Sequence, residues 1–431
     1  MKKIVSFLKG NVLVANALSN YMAAAWLGIT SILLTPIYLK VLGPSQWGVV
    51  SICIAVQAFM FLVDAGLAQI MPRDIAKEKT IKGLQSVYLT YNYVYFFLAI
   101  VFFIMGYLFS PYVISHWLNP NASVMNVLSV ALNLLLAQFC FQLINNSNLC
   151  FWYGTQRQHI ACLRQVIFFS LKHLFALILI YFWEKNAVSY QLSFLIFSIA
   201  ECLLNRHAIL RELKFTKGMK FNFDVGRLRK LFKESGTLSF AILLGMLTTQ
   251  VDKIVLSKQV SIEIFGYYSV IAFLGAAFLQ LQYPLVRAFL PKLTKESHNE
   301  NSNAYFVMFK FIFLFCICPT ALAIIFSEQI LLLWLHDSEI AALGSFTLKL
   351  ILMATIINSL YNIIYQKIII SGNGRYVMLI NSICLVIVFP LTYHLSERFG
   401  IVAGGVSWLS TALIQLMFGI IWVAARRKKY E

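Results

Sequence analysis

Apolar stretches near the roughly 20 residues needed to cross a bilayer core recur along this chain with short polar gaps between them. They fall at about 13–39, 47–69, 87–113, 124–150, 160–183 and 187–207, and again at about 236–257, 264–290, 303–326, 345–369, 376–395 and 401–424. The alternation of a barrel strand is absent. A lipid-exposed backbone must satisfy its own hydrogen bonds, so the pattern predicts an all-α integral membrane protein with twelve transmembrane helices. The sizeable polar stretch at 208–235 divides the chain into an N-terminal lobe, 1–207, and a C-terminal lobe, 236–431.

The two halves also match each other. Trp47-Gly48 returns as Phe265-Gly266, with Lys40 and Ser51 matched by Lys258 and Ser269 at the same offset of 218 residues. Pro72-Arg73 returns as Pro291-Lys292, and Gly154-x-x-Arg157 as Gly372-x-x-Arg375. Gly and Pro carry backbone geometry and are hard to match by accident. An even number of helices per half makes the repeats parallel, about an axis along the membrane normal. Such halves mark a transporter whose binding site lies at the repeat interface.

Composition agrees with the pattern. The chain is 60% hydrophobic and 12% charged, against about 45–50% and 25% in soluble domains, and its mean hydropathy is +0.77. The formal charge of +18 is distributed unevenly. With the N-terminus inside, basic residues crowd the inner loops, from Lys2, Lys3 and Lys9 through the run Arg206 to Lys233 and on to Arg426–Lys429. Lys40, Lys185, Lys258 and Arg398 alone lie outside. The positive-inside rule then puts both termini in the cytoplasm, and anionic inner-leaflet lipid accounts for the charge without nucleic acid. Lys9, Gly10 and Asn11 interrupt what would otherwise resemble a signal peptide. The eight cysteines lie in or beside spans, without metal-ligand spacing, and read as packing residues. In the linker, Val225, Leu228, Leu231 and Phe232 are set at helical spacing against Arg227, Arg229, Lys230 and Lys233. This suits either a surface helix or a plain tether. Outer loops are short, the longest near 110–122 and 327–344, and leave no room for a catalytic domain.

Ionisable residues inside spans are costly and therefore informative. Lys172 sits mid-span beside His173, Asp252 and Lys253 lie in the seventh span, Asp64 in the second, Glu201 in the sixth and Arg287 in the eighth. Lys310 and Lys349 lie near helix ends and can snorkel. For Lys172 the reading divides between an anion site and an interhelical pair with an acid such as Glu201. Asp252 and Lys253 are adjacent and point about 100° apart, which disfavours self-pairing. Because cations outnumber acids in the spans, a central cavity should prefer an anion. Amides cluster on the fourth span (Gln138, Gln142, Asn145, Asn146, Asn148) and on its repeat partner, the tenth (Asn358, Asn362, Gln366). They either line a wet cavity or join helices.

Two stretches carry a family resemblance. Phe61-Leu-Val-Asp64-Ala-Gly66-Leu67-Ala-Gln69-Ile-Met-Pro72-Arg73-Asp-Ile-Ala76, and Thr249-Gln-Val-Asp252-Lys253-Ile-Val-Leu-Ser257 followed by Phe265-Gly266-Tyr267-Tyr268-Ser269, resemble Wzx-type polysaccharide flippases. These belong to the multidrug/oligosaccharidyl-lipid/polysaccharide (MOP) exporter superfamily. The resemblance implies the MOP/MATE-like fold of two six-helix lobes and no enzyme activity. It also implies movement of an undecaprenyl-diphosphate-linked oligosaccharide across the bacterial inner membrane for O-antigen or capsule assembly. The implied cavity is lined by the first, second, seventh and eighth helices. On that basis the pyrophosphate candidates are Lys253 and Arg287, with Lys172 added on burial. Asp64, Asp252 and Glu201 are candidates for orientation or ion coupling. Gln142, Asn145, Gln250, Gln280, Asn358 and Asn362 are candidates for sugar contacts. No metal or cofactor is expected, and a proton or sodium gradient is the open choice for coupling. Expected partners are the lipid-linked oligosaccharide, inner-membrane lipids and, through the family, a polysaccharide polymerase and chain-length regulator. Peptidoglycan-precursor flippases have fourteen helices and several basic residues in the first two, and this chain has neither. The rival reading is a cation-coupled antiporter of drugs or metabolites with the same fold.

Overall fold

The computed structural model describes residues 12–60, 64, 67–118, 120, 122–214, 243–295 and 303–427. Helices are the only regular structure among them. Ten are long and apolar enough to cross a membrane, and Pro44–Met60 is a shorter apolar helix. The protein is therefore an all-α, multi-pass membrane protein. It divides into two compact units, lobe 1 (Met1–Leu243) and lobe 2 (Leu244–Glu431).

Lobe 1 contains α1 (Val12–Leu42), α2 (Pro44–Met60), α3 (Leu67–Lys77), α4 (Ile81–Val113), α5 (Ala122–Gly154), α6 (Gln158–Phe182) and α7 (Ala187–Glu212). Gly43, at φ +78°, makes the turn from α1 to α2, a conformation that costs glycine nothing. Thr80 and Asn186 cap α4 and α7 through their side chains, each satisfying a backbone N–H that the first turn leaves free. α5 is the central post, packed by α7, α4, α3 and α2. Its Phe139, Leu143, Phe151 and Trp152 meet Met71 and Ile75 of α3 and Val87, Tyr88, Tyr91 and Tyr95 of α4.

Lobe 2 begins within a helical stretch at 243–248, followed by α8 (Val251–Gln259), α9 (Ile262–Gln280) and α10 (Gln282–Lys295). Beyond these lie α11 (Ala304–Ile312), α12 (Cys318–Ile325), α13 (Ser327–Leu335), α14 (Ser338–Ile370), α15 (Gly374–Phe399) and α16 (Val402–Arg427). Its post is α14, packed by α16, α13, α9 and α12. Close approach depends on small residues. Side chains of Ile351 and Ile271 fill the space beside Gly275 and Gly344, joining α9 to α14, and the Thr347 carbonyl and Leu350 lie against Gly405 of α16.

Several expected elements take a different form. The second span is two helices, α2 and α3, with Asp64 in a turn between them. The seventh is interrupted at Thr249–Gln250. There the Thr248 and Thr249 hydroxyls donate back to the carbonyls of Leu244 and Met246, each at 2.8 Å, a contact that bends helices. The eighth is interrupted at Leu281. The ninth carries a five-residue π-turn, Phe313–Ile317, just before Pro319, where proline cannot supply its N–H. The expected outer loop at 327–344 is largely helix: α13, then α14 capped by Asp337. Residues 110–118, expected as loop, are helical through a π-turn at Ile114–Leu118. α7 runs to Glu212, into the stretch read as linker, and the amphipathic stretch at 224–235 lies outside the described residues.

Candidate functional site

The interruption of the seventh span opens on a largely apolar cavity of about 110 Å³ inside lobe 2, with a few polar groups in its walls. This has room for several waters. Its walls come from Thr248, Thr249 and Asp252, from Thr355 and Asn358 of α14, and from Ser407, Trp408, Thr411 and Gln415 of α16. Asp252 is the single ionisable residue in that lining. The cavity therefore carries one acid and no base.

Asp252 is 1% exposed. One carboxylate oxygen, Oδ2, accepts from the Tyr268 hydroxyl and, at 3.0 Å, from Trp408 Nε1. The other, Oδ1, is buried with no partner. One oxygen is thus fixed by two helices, and the other makes no hydrogen bond. Gly404, one turn before Trp408 on α16, provides the space: a side chain there would overlap the Tyr268 ring. Tyr268 and Trp408 had no assigned role in the sequence reading. Trp408 lies 156 residues from Asp252, and no local pattern connects them.

Lys253 turns away from Asp252, as the helical angle requires, and donates to Gln250 Oε1 at 3.0 Å. Gln280 is exposed at the end of α9. Arg287 lies within α10. Gln282, which the sequence reading passed over, is 1% exposed. It donates to Asn358 Oδ1 at 3.0 Å and accepts from Asn362 Nδ2 at 3.1 Å.

In lobe 1 the ionisable residues are bonded internally. Lys172 Nζ lies 3.1 Å from Glu201 Oε2, and both residues are buried. Of the two readings weighed for Lys172, the geometry is that of the interhelical pair, and its charge is neutralised where an anion contact was expected. The same pairing occupies Glu201, a candidate for ion coupling. His173 Nδ1 lies 3.0 Å from the Tyr38 hydroxyl, inside a cluster with Tyr190 and Phe194. Asp64 accepts from the Tyr95 hydroxyl and from Asn146 Nδ2 at 2.5 Å.

The amide row on α5 joins helices. Gln142 accepts from Gln57 of α2 at 2.7 Å, and Asn145 accepts from Asn205 of α7 at 3.1 Å. Of the six sugar-contact candidates, Asn358 alone lines the lobe-2 cavity. Among the described residues no group of His, Cys, Asp and Glu could hold a metal ion.

Known proteins place this arrangement. The chain is similar to the lipid II flippase MurJ in its inward closed conformation, with TM-score 0.78 and 12% identity over 95% of this chain and 87% of that one. It is also similar to a multidrug resistance MATE family transporter of the MOP superfamily. The inward-facing form gives TM-score 0.71 and 15% identity over 92% and 95% of the two chains. The outward-facing form gives 0.63 and 16% over 95% and 94%. A search of curated proteins finds no match. These similarities define the class by fold, that of MOP-superfamily transporters. Within that class, the family model for polysaccharide biosynthesis proteins matches residues 13–297 and the MatE model matches 293–394. The chain belongs to the polysaccharide biosynthesis protein family.

Proposed function

We propose that this protein is a flippase of the bacterial inner membrane. It moves an undecaprenyl-diphosphate-linked oligosaccharide from the cytoplasmic to the outer leaflet by alternating access, for assembly of O-antigen or capsule. The observation that carries this reading is the polysaccharide-biosynthesis family match over residues 13–297, on a multi-pass helical fold. With the interrupted second, seventh and eighth spans each counted once and the short α13 left out, the helices are read as twelve spans in two sets of six, with both termini cytoplasmic.

A pyrophosphate cannot cross hydrocarbon unaided, because its charge is strongly solvated in water. Lys253, which donates to a neutral amide and has no carboxylate partner among the described residues, binds it together with Arg287. Lys172 is set aside from that role by Glu201 and orients α6 against α7. Asp252, with one free oxygen, is the coupling residue for a proton or sodium ion. A downstream polymerase and chain-length regulator take the product.

A second reading, a cation-coupled antiporter, is favoured by one observation, the acidic lining of the lobe-2 cavity. The discriminating measurement is the leaflet distribution of lipid-linked glycan in cells lacking the protein, read with a membrane-impermeant lectin on spheroplasts and on inverted vesicles. The expected result is glycan confined to the cytoplasmic face, reversed by the wild-type gene and by neither Lys253→Gln nor Arg287→Gln at equal membrane abundance. Normal outer-leaflet glycan together with new drug sensitivity gives the antiporter instead.

A further inference from the structure

In lobe 1, α4 and α7 both pack against α5 and are joined to each other by two side-chain rungs. Gln85 of α4 donates to the Leu213 carbonyl, just past the end of α7, at 2.7 Å, and Arg206 of α7 donates to Asn92 Oδ1 of α4 at 2.9 Å. Seven residues, two turns, separate the rungs on each helix, so the two helices run antiparallel in register along a seam. That register says what flanks the rungs. Beyond the first, at the basic end of the lobe, come Lys82, one turn before Gln85, and Lys214, next to Leu213, both exposed. Beyond the second, toward the middle of the spans, come Phe96 and Leu203, 50% and 56% exposed.

The floor of the seam is polar and fixed. Asn92 is buried and donates through its nitrogen to Ser147 Oγ of α5 at 3.0 Å, which leaves its oxygen to face Arg206; Tyr88 beside it donates to Asn148 Oδ1 at 2.7 Å. Basic residues in inner loops need only water as a partner. Arg206 differs, because it lies within α7, six residues or about 9 Å before the helix ends, partly buried and with no carboxylate partner among the described residues. The acids at this end of the lobe are placed elsewhere: Glu212 pairs with Arg157 and Asp74 with Lys77, while the Glu78 carboxylate lies against the first turn of α4 beside Gly83. A guanidinium has five N–H donors in a planar fork that matches a phosphate, and a cation inside a span is retained where a counter-charge reaches it. The seam thus offers three cations at one end and exposed apolar side chains further along the same two helices. This is the charge and shape of an anionic phospholipid.

We propose that the seam between α4 and α7 binds an anionic phospholipid of the inner leaflet, with its phosphate on Arg206, Lys82 and Lys214 and an acyl chain along Phe96 and Leu203. The site belongs to lobe 1 by itself and does not depend on which substrate the protein carries.

The test is native mass spectrometry of the full-length protein released from detergent micelles, titrated separately with phosphatidylglycerol, phosphatidylcholine and inorganic phosphate. The wild type should bind the first phosphatidylglycerol at least about fivefold more tightly than phosphatidylcholine, and inorganic phosphate should not displace it. Arg206→Gln should weaken phosphatidylglycerol about fivefold, the loss of one basic residue at an anionic surface, and Lys82→Gln with Lys214→Gln about twenty-fivefold. The control is Lys367→Gln with Arg375→Gln, which removes two exposed charges from lobe 2 and should change affinity by less than about twofold. The proposal stands if both lobe-1 variants lose affinity while the lobe-2 pair does not. Equal losses in the two double variants reduce the effect to general surface charge and overturn it, as does unchanged affinity in either lobe-1 variant or displacement by inorganic phosphate. If Arg206→Gln does not reach the membrane, the two exposed lysines decide it against the lobe-2 pair.

Discussion

Two buried acids, Asp252 and Glu201, show how partners decide what a charge does in a span. Both stand out in the sequence because ionisable residues are rare within apolar runs. What surrounds them comes from helices 16 to 156 residues away and has no local signature. Glu201 meets an ammonium and makes a closed pair; Asp252 meets a phenol and an indole and keeps one oxygen open. The pair carries a thermodynamic prediction. Lys172→Met alone strands the Glu201 carboxylate and should cost about 3–5 kcal/mol, whereas Lys172→Met with Glu201→Leu should recover most of it. Thermal unfolding of the detergent-solubilised proteins checks this, and equal losses in the single and double variants would show that the two side chains are not coupled.

At the scale of elements, the turns in the second, seventh and eighth spans are where apolar pattern and structure part. Hydropathy registers that a segment belongs in hydrocarbon, and it remains apolar whether one helix or two cross it. The interruption follows instead from side chains that compete for backbone groups, as Thr248 and Thr249 do. Contact between helices depends on glycine. Pro72 and Gly154 are two of the duplicated landmarks, and in lobe 1 they touch: a Cβ at Gly154 would stand 2.8 Å from the Pro72 carbonyl and 2.7 Å from Ile75 Cβ. The counterpart Gly372 instead sits at φ +76° with open space beside it, so the duplicated glycine serves packing in lobe 1 and a turn in lobe 2. On α16, Gly404→Ala should displace the Tyr268 ring from Asp252 and destabilise lobe 2 by about 1–3 kcal/mol, the usual cost of overpacking. Tyr268→Phe should reproduce the transport defect of Gly404→Ala with a smaller loss of thermal stability, and equal transport by both variants and the wild type would remove Asp252 positioning from the mechanism.

On the scale of the whole molecule, charge asymmetry across the loops predicts that both ends face the cytoplasm. A C-terminal fluorescent-protein fusion should glow and an alkaline phosphatase fusion at the same point should be inactive; the reverse would invert the topology. The all-α membrane class was legible in the sequence. So was the presence of ionisable side chains at Asp64, Asp252 and Lys172 in apolar segments, where they are costly. These rest on quantities that add along the chain: apolar length against bilayer thickness, the number of basic residues per loop, and the cost of a charge in a span. The closure of Lys172 on Glu201, the Tyr268–Asp252–Trp408 arrangement, the lobe-2 cavity and the bonds of Gln282 to Asn358 and Asn362 were decided only by tertiary structure. Each depends on which helix faces come together, and that is settled by close packing around α5 and α14 between residues that no sequence period relates.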